Sequence, residues 1–573
     1  MKNFEIAGIF MRISEMLEIK GENTFKIKAY KKAAESITSL SVEIKDLVER
    51  GYSLKEIEGI GPAIEAKINE ILTKGTCEYY EKLKREIPEG LLEMLKIPGL
   101  GAKKIKTIYD ELKIDTLEEL ERAAKEKKLR SLKGFGVKTE QAIIKGILML
   151  KGNQGKILLS TALYLAEEIR DFIKSSNLKV KIEFAGEMRR RVEMIEKIVA
   201  VISCNEEDKK EVISVLLKFP RIKNIKEIYE NRIELFLDLG ITLEFIFVEE
   251  KSFFTSLFVY TGNEKHLLQL EELNKLKGLK ISENYILING EKYYPDSEID
   301  IYQKLGIPYI IPELREGRGE VEKALKNELP ESLNLEDIKG DLHMHSDWSD
   351  GIDSIEELAQ KAMELGYEYI AITDHSKSLK IANGLDEERL KRQIYHIKNL
   401  NAKYKNFVIL TGIEVDILSD EILDFEDEIL KELDIVVASI HTGFKQDKDK
   451  LTRRIIMAME NPYVKIIGHP TGRLLGKREK YELDLDKIIE KAFETNTALE
   501  INSTPDRLDL VDVYAKRAKE KGVKLVINTD AHEKGALQDI INGVYVARRA
   551  WLEKKDVLNT RSLKELLTEL KKT

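Results

Sequence analysis

From about residue 337 to the end, short apolar runs alternate with stretches of helical periodicity, and each run ends in a residue able to bind a metal. The runs are DLHMH, YIAITDH, FVILTGIE, DIVVASIH, VKIIGH, ALEIN and KLVINTDAH. Strands separated by amphipathic helices pair in parallel, because each crossover helix returns the chain to the same end of the sheet. Seven of them predict an α/β barrel that is closed or nearly so, and in such a barrel the chemistry sits at the C-terminal strand ends.

Those ends carry His343 and His345 with Asp350 in the loop beyond, Asp374 and His375, Glu414, His441, His469, Asn502, and Asp530 with His532. The chain has 8 histidines; six stand here, far more than scatter would place in so few positions. A spacing of two puts His343 and His345 on one face of a strand, and likewise Asp530 and His532, as ligands of one cluster must be. Mixed imidazole and carboxylate donors suit Mn²⁺, Zn²⁺ or Fe²⁺ better than Mg²⁺ or Ca²⁺. Such a centre acidifies water, orients it and neutralises a leaving oxygen, which is the chemistry of phosphoester hydrolysis. Asp374 is a candidate member of the catalytic set, and it and Asp416 read as orienters of the ligands. The remaining histidines, His266 and His396, read as structural or surface residues.

Residues 1 to about 155 are helical by pattern, and one motif recurs in them three times: IEGIGPAIEAKI (57–68), KIPGLGAKKIKTI (96–108) and SLKGFGVKTEQAI (131–143). Each is an apolar lead-in, Gly-x-Gly and a new amphipathic helix. The motif resembles the helix-hairpin-helix module of DNA repair proteins and polymerases, and the resemblance implies that Gly59, Gly61, Gly99, Gly101, Gly134 and Gly136 let a phosphate approach the backbone while the N–H groups opening the next helix attract an anion. Contacts of this kind read no base sequence. A net charge of -8 argues at first against a polyanionic partner. Residues 1–155, however, hold 29 Lys and Arg against 25 Asp and Glu, a surplus of +4 that leaves -12 on the remainder. No apolar run approaches the ~18 residues of a membrane span. Cys77 and Cys204 are too few for a disulfide framework, so a cytoplasmic monomer is expected.

Residues 155 to about 315 mix strand-like runs (KVKIEFAG, KIVAVIS, RIELFLDLG, ITLEFIFV) with helical ones, an α+β pattern. Within them AGEMRRR (185–191), FVYTGNEKH (258–266) and LGIPYIIPELREGRGEVEKAL (305–325) stand in the order and spacing of the palm and thumb of family X DNA polymerases, bacterial and archaeal type. FKIKAYKKAAESI (25–37) is similar to that family's lyase domain. The C-terminal region resembles the PHP (polymerase and histidinol phosphatase) family over its whole length. The expected chain is multidomain. A lyase-like helical domain with one hairpin motif (1–85) precedes a fingers-like helical domain with two (86–154). A polymerase-like α+β palm (155–255) and thumb (256–316) follow, then a linker (317–336) and a seven-stranded PHP barrel (337–573).

The PHP resemblance implies three divalent ions, with Mn²⁺ or Zn²⁺ favoured, on His343, His345, Asp350, His375, Glu414, His441, His469, Asp530 and His532. It also implies that Arg473, in GHPTGR, holds a substrate phosphate. The polymerase resemblance implies two metal ions on three carboxylates, and here the sequence departs from it. Lys197 and Val199 stand where two aspartates belong, and the third position is Glu244. An ammonium ~4 Å from a divalent ion repels it by roughly 8 kcal/mol at an effective dielectric of ~20. Glu187, Glu196, Asn263 and Leu267 depart from the pattern as well. Nucleotidyl transfer is therefore expected to be lost, with the palm kept as a scaffold or DNA clamp. In the lyase-like domain the resemblance places a Schiff-base lysine at Lys67, with Tyr30 matching beside it. The expected activity is 3′ to 5′ exonuclease action on gapped, nicked or abasic DNA. The alternatives are residual gap-filling synthesis, hydrolysis of a small phosphomonoester, and DNA binding without catalysis.

Overall fold

The computed structural model describes residues 3–39, 44–49, 52–57, 59–97, 99–152, 155–176 and 178–570. It divides into two compact units, Met1–Gln154 and Gly155–Thr573. No helix among the described residues is long and apolar enough to cross a membrane.

The described part of the first unit is helical, with Phe10, Ile13, Leu17, Ala33, Ile68 and Leu120 in its core. Its three hairpin motifs fold alike. The apolar residue between the glycines, Ile60, Leu100 or Phe135, is buried, and its N–H donates to the carbonyl of Ile57, Ile97 or Leu132 at 3.1, 3.0 and 3.1 Å. The first glycine turns the chain with φ of +83° (Gly59), +80° (Gly99) and +86° (Gly134), where a side chain would cost roughly 1–2 kcal/mol. The second opens the next helix: Gly61 caps Pro62–Lys74, Gly101 caps Ala102–Leu112, and Gly136 precedes Val137–Gly152. A Cβ added at Gly61, Gly101 or Gly136 would meet no atom of the described chain within 4 Å. Packing inside the unit does not exclude a side chain there.

In the second unit the palm is a five-stranded sheet in the order Lys181–Phe184, Lys197–Ser203, Thr242–Val248, Arg232–Leu237, Ile222–Ile228, with only the pair Lys197–Ser203 and Thr242–Val248 parallel. The helix Phe253–Thr261 crosses the expected boundary at 255 and serves palm and thumb together. Of the segment 317–336, expected as a linker, the part up to Ala324 is packed. Its helix Glu320–Leu325 buries Glu320, Val321 and Ala324, and Arg318 pairs with Asp512 of the barrel region at 2.8 Å. A buried charged seam continues from there. Arg549 donates to the Arg190 carbonyl at 2.7 Å, to Glu316 at 2.8 Å and to Asp512 at 3.0 Å.

Seven parallel strands, Gly340–Asp341, Tyr369–Ile372, Val408–Asp416, Ile435–Ser439, Ile466–Ile467, Ala498–Asn502 and Leu525–Asn528, lie side by side in chain order. Burial on both faces explains why each reads as a continuous apolar run rather than an alternation. The first strand is shorter than the run DLHMH. It stops at Asp341, and the next residues bond instead to the segment after the last strand: His345 N–H to the Ala531 carbonyl at 2.8 Å, and Asp530 N–H to the His343 carbonyl at 2.9 Å. These bonds bring the first and last strands together at the ligand-bearing end. The other end is plugged. Leu566 of the helix Leu563–Glu569, with Leu570, packs on the inward-facing Leu342, Tyr369, Val437 and Ile466, each aliphatic side chain so buried contributing ~1.5–3 kcal/mol.

Candidate metal centre

At the unplugged end the expected ligands converge. Three overlapping groups each bring ligand atoms within 4.8 Å of one another: His345, Asp350, His375 and His532; His343, His345 and Asp530; and His375, Glu414 and His441. His469 joins them with Nε2 3.0 Å from Glu414 Oε1. Glu414 is the hub, 2.8 Å from His375 Nδ1, 3.3 Å from His441 Nε2 and 3.4 Å from His343 Nε2. Its two oxygens, His343 Nε2, both nitrogens of His345 and His375 Nδ1 are nonetheless buried without a hydrogen bond. Each such orphan costs roughly 1–3 kcal/mol, so several facing one another fit divalent cations that would accept their lone pairs.

The backbone and the outer partners aim these donors. His469 and Asp530 have φ of +25° and +54°, conformations that persist in a non-glycine residue only where the surroundings impose them. Glu500 imposes one of them, accepting the His469 N–H at 2.6 Å while also accepting His343 Nδ1–H at 2.7 Å. Asp416 takes His441 Nδ1–H at 2.8 Å, and the Asp530 carbonyl takes His532 Nδ1–H at 2.8 Å. The Nε2 atoms of these histidines are thereby left for a metal. Glu500 escaped the sequence reading. Its signal was an acidic residue inside the buried run ALEIN, two positions before Asn502 and so on the same face.

The charges are tightly coupled. Burial opposes protonation of His441, yet Glu414 and Asp416 push it up to about 10, and Asp350 and Asp530 push His532 up to about 9 against the same burial. His345 is driven the other way, to about 3, by burial and by facing His375 and His532. Burial also resists ionisation of Asp350, but His532, His375 and His345 hold it down at about 2. Protons and metal ions compete for these donors. Asp350 and His532 are the exposed members, at 34% and 40% of their side chains, so the site opens to solvent on their side.

Of the two further candidates for the catalytic set, Asp374 orients the ligand-bearing turn and Arg473 is engaged elsewhere. Asp374 is fully buried and belongs to none of the three groups. It accepts from the Ser346 N–H at 2.8 Å, the Ser346 hydroxyl at 2.6 Å, Gln393 at 2.5 Å and the Ser349 hydroxyl, and so holds the turn that carries Asp350. Arg473, expected to clasp a phosphate, instead donates to Glu193 of the palm and to the Arg507 carbonyl at 2.9 Å. The carboxylate and the carbonyls have consumed the donors that a phosphate would need.

In the palm, Val199 and Glu244 are neighbours on adjacent parallel strands. Lys197 lies 2.8 Å from Glu244 and 3.1 Å from Glu234, with Arg232 3.7 Å from Glu244. Two cations thus neutralise the carboxylates where the family pattern would have its metal site, and no metal-binding group forms in the palm among the described residues. In the first unit Lys67 is half-buried, donates to the Ala63 carbonyl at 3.1 Å, and lies 5.3 Å and 5.8 Å above the rings of Tyr79 and Tyr30. A ring face attracts an ammonium, whereas a Schiff base forms from the neutral amine. His266 is a core residue, held between Glu320 at 2.8 Å and Tyr302 at 3.1 Å.

Family models match the chain region by region. They are a helix-hairpin-helix domain over residues 1–77, a SAM-like helix-hairpin-helix tandem over 52–113 and 91–147, a DNA polymerase beta thumb over 256–316 and a PHP domain over 341–504. The DNA polymerase/3′-5′ exonuclease PolX of Bacillus subtilis (strain 168) is 40% identical over 577 residues, covering 100% of both chains. A probable phosphatase of Thermoanaerobacter sp. (strain X514) is 34% identical over 245 residues, 40% of this chain and 95% of its own. Another, of Clostridium acetobutylicum, is 30% identical over 208 residues, 34% of this chain and 78% of its own. A relative matched from end to end, with family models falling on the hairpins, the thumb and the barrel described above, shows that the chain belongs to the PolX family of DNA polymerase/3′-5′ exonucleases.

Proposed function

We propose that this chain is a DNA repair exonuclease that removes nucleotides from 3′ ends of gapped, nicked or abasic DNA at the barrel, and that its palm no longer transfers nucleotides. The observation that carries the reading is the convergence of buried, unpartnered imidazole and carboxylate atoms at one open barrel end. Three divalent ions, Mn²⁺ or Zn²⁺ in preference to Fe²⁺, would supply Lewis-acid charge to a phosphate and lower the pKa of water. The protein holds the donors in place through Glu500, Asp416 and Asp374. The hairpins grip the phosphate backbone through turns whose second glycine is open to a ligand, without reading bases. The ion pairs of Lys197 support the loss of synthesis. The probable phosphatases favour a second reading, hydrolysis of a small phosphomonoester, but three hairpin motifs serve no purpose on such a substrate. The chain is read as a monomer.

A labelled gapped duplex with Mn²⁺ and no dNTP tests this. Stepwise shortening from the 3′ end, absent from the His343→Ala, His345→Ala double variant, is expected. An intact strand after incubation with the wild type would overturn the nuclease assignment. Primer extension on adding dNTPs would overturn the loss of synthesis.

A further inference from the structure

A phosphodiester entering this carboxylate-rich barrel calls for a positive side chain beside the metal ligands, and Arg473 is not free to provide it. Its Nε donates to the Arg507 carbonyl at 2.9 Å, Nη1 to Glu193 Oε2 at 3.1 Å, and Nη2 to both Glu193 Oε1 and the Leu508 carbonyl. Four of the five N–H groups of a guanidinium are thereby used. Withdrawing it would leave the half-buried Glu193 carboxylate without this counter-charge, a costly state.

Arg507 is the opposite case. Its side chain is 19% exposed and its guanidinium, which donates no hydrogen bond to the described residues, forms one longer ion pair, Nε 3.6 Å from Asp530 Oδ2. The other oxygen of Asp530, Oδ1, faces His345 Nε2 at 3.1 Å and His343 Nε2 at 3.6 Å. The free donors of Arg507 thus sit on the rim of the ligand cluster. Its backbone, in contrast, is pinned. The Arg507 N–H donates to the Thr504 carbonyl at 2.8 Å, and its own carbonyl is held by Arg473. Two bonds of 2.9 Å from the N–H and hydroxyl of Thr471 to Asp509 tie this loop to the one that follows His469.

We propose that Arg507 meets the phosphate of the nucleotide being removed, and that Glu193 of the palm positions it through Arg473. The proposal rests on the nuclease reading of the same site. Arg507 presents a planar fork that can take two phosphate oxygens in parallel, while Glu193 and Arg473 hold the loop from which it projects. The palm is thereby part of the nuclease, which gives a domain with neutralised polymerase carboxylates a reason to persist.

The test uses the full chain loaded with Mn²⁺. It has three readouts: 3′-end removal, metal content per chain, and calorimetric binding of thymidine 5′-monophosphate as the probe for the phosphate subsite. Arg507→Ala is expected to lower kcat/KM about 100-fold, as loss of a preorganised transition-state donor does, and to weaken monophosphate binding about tenfold with metal content unchanged. Added guanidinium ion restores part of the activity of Arg507→Ala, and Arg507→Lys recovers only part because an ammonium is not a fork. Glu193→Gln lowers kcat/KM about tenfold alone and has no further effect in the Arg507→Ala background, because residues in one network are not additive. An active wild type with an unaffected Arg507→Ala, or an Arg507→Ala that loses metal in step with activity, overturns the phosphate role. Additive effects of Glu193→Gln and Arg507→Ala overturn the relay. A wild type that shortens no DNA overturns the nuclease reading instead, and the monophosphate titration then still decides whether Arg507 binds phosphate.

Discussion

Glu500 shows how one carboxylate can orient two expected metal ligands. It fixes the tautomer of His343 and the backbone of His469 at once, from a position with no solvent exposure. Glu500→Gln keeps the shape and removes the charge, so Mn²⁺ affinity is expected to fall about 10–100-fold, the usual cost of losing such a partner. Titration of the metal-free variant checks it, and an unchanged affinity would show that the carboxylate only fills space. Lys197 is the counterpart in the palm. Lys197→Met leaves Glu244 and Glu234 facing each other on neighbouring strands. Because the lysine is about a third exposed, the expected loss is only about 1 kcal/mol in urea unfolding, well short of the value for a fully buried pair. The convergence of the strand-end histidines was legible at single-residue resolution because a barrel's end gathers side chains the core cannot hold. Asp374 has the orienting role its sequence position suggested, whereas Arg473 was placed in sequence but not in role, since nothing local to it foretells Glu193.

The hairpin is the element whose two glycines separate folding from binding. Gly134 adopts φ +86°, so Gly134→Ala is expected to destabilise the first unit by roughly 1–2 kcal/mol. At Gly136 there is room for a Cβ, so Gly136→Ala is expected to leave thermal unfolding unchanged yet weaken DNA binding to the same degree on unrelated sequences. Fluorescence anisotropy at several salt concentrations reads the second effect. Equal affinity for the variant would place the DNA contact elsewhere. The motif was visible because the three copies share one local hydrogen-bond pattern, which short-range sequence dictates. The first barrel strand was misjudged in length for the opposite reason. DLHMH reads as a single strand, but its second half bonds to residues nearly two hundred positions away.

At the scale of the whole molecule, buried charge rather than a flexible connector joins palm, thumb and barrel. Glu298 accepts from Arg189 at 3.0 Å and from the fully buried Arg315 at 2.7 Å. Burial disfavours its ionised form, but the two arginines outweigh that and hold the carboxyl down at about 2. A folded pKa below the unfolded value adds stability that is fully present above about pH 4.5 and is lost as pH falls toward 2, on the order of 3 kcal/mol in all. Glu298→Gln is therefore expected to unfold at lower urea than the wild type at pH 6 and to show a flatter decline between pH 4.5 and 3. Parallel acid limbs for the two proteins would show that other groups dominate. The sequence by itself determined the strand and helix alternation, the three hairpins and the gathering of histidines at the strand ends, because periodicity, glycine and strand-end residue choice are local. Only the tertiary structure decided that Glu500 orients the expected ligands, that Arg473 faces the palm while Arg507 pairs with Asp530, and that residues 317–324 are packed. Each of these depends on which distant charges burial brings together, and a buried charge takes whatever partner the fold supplies.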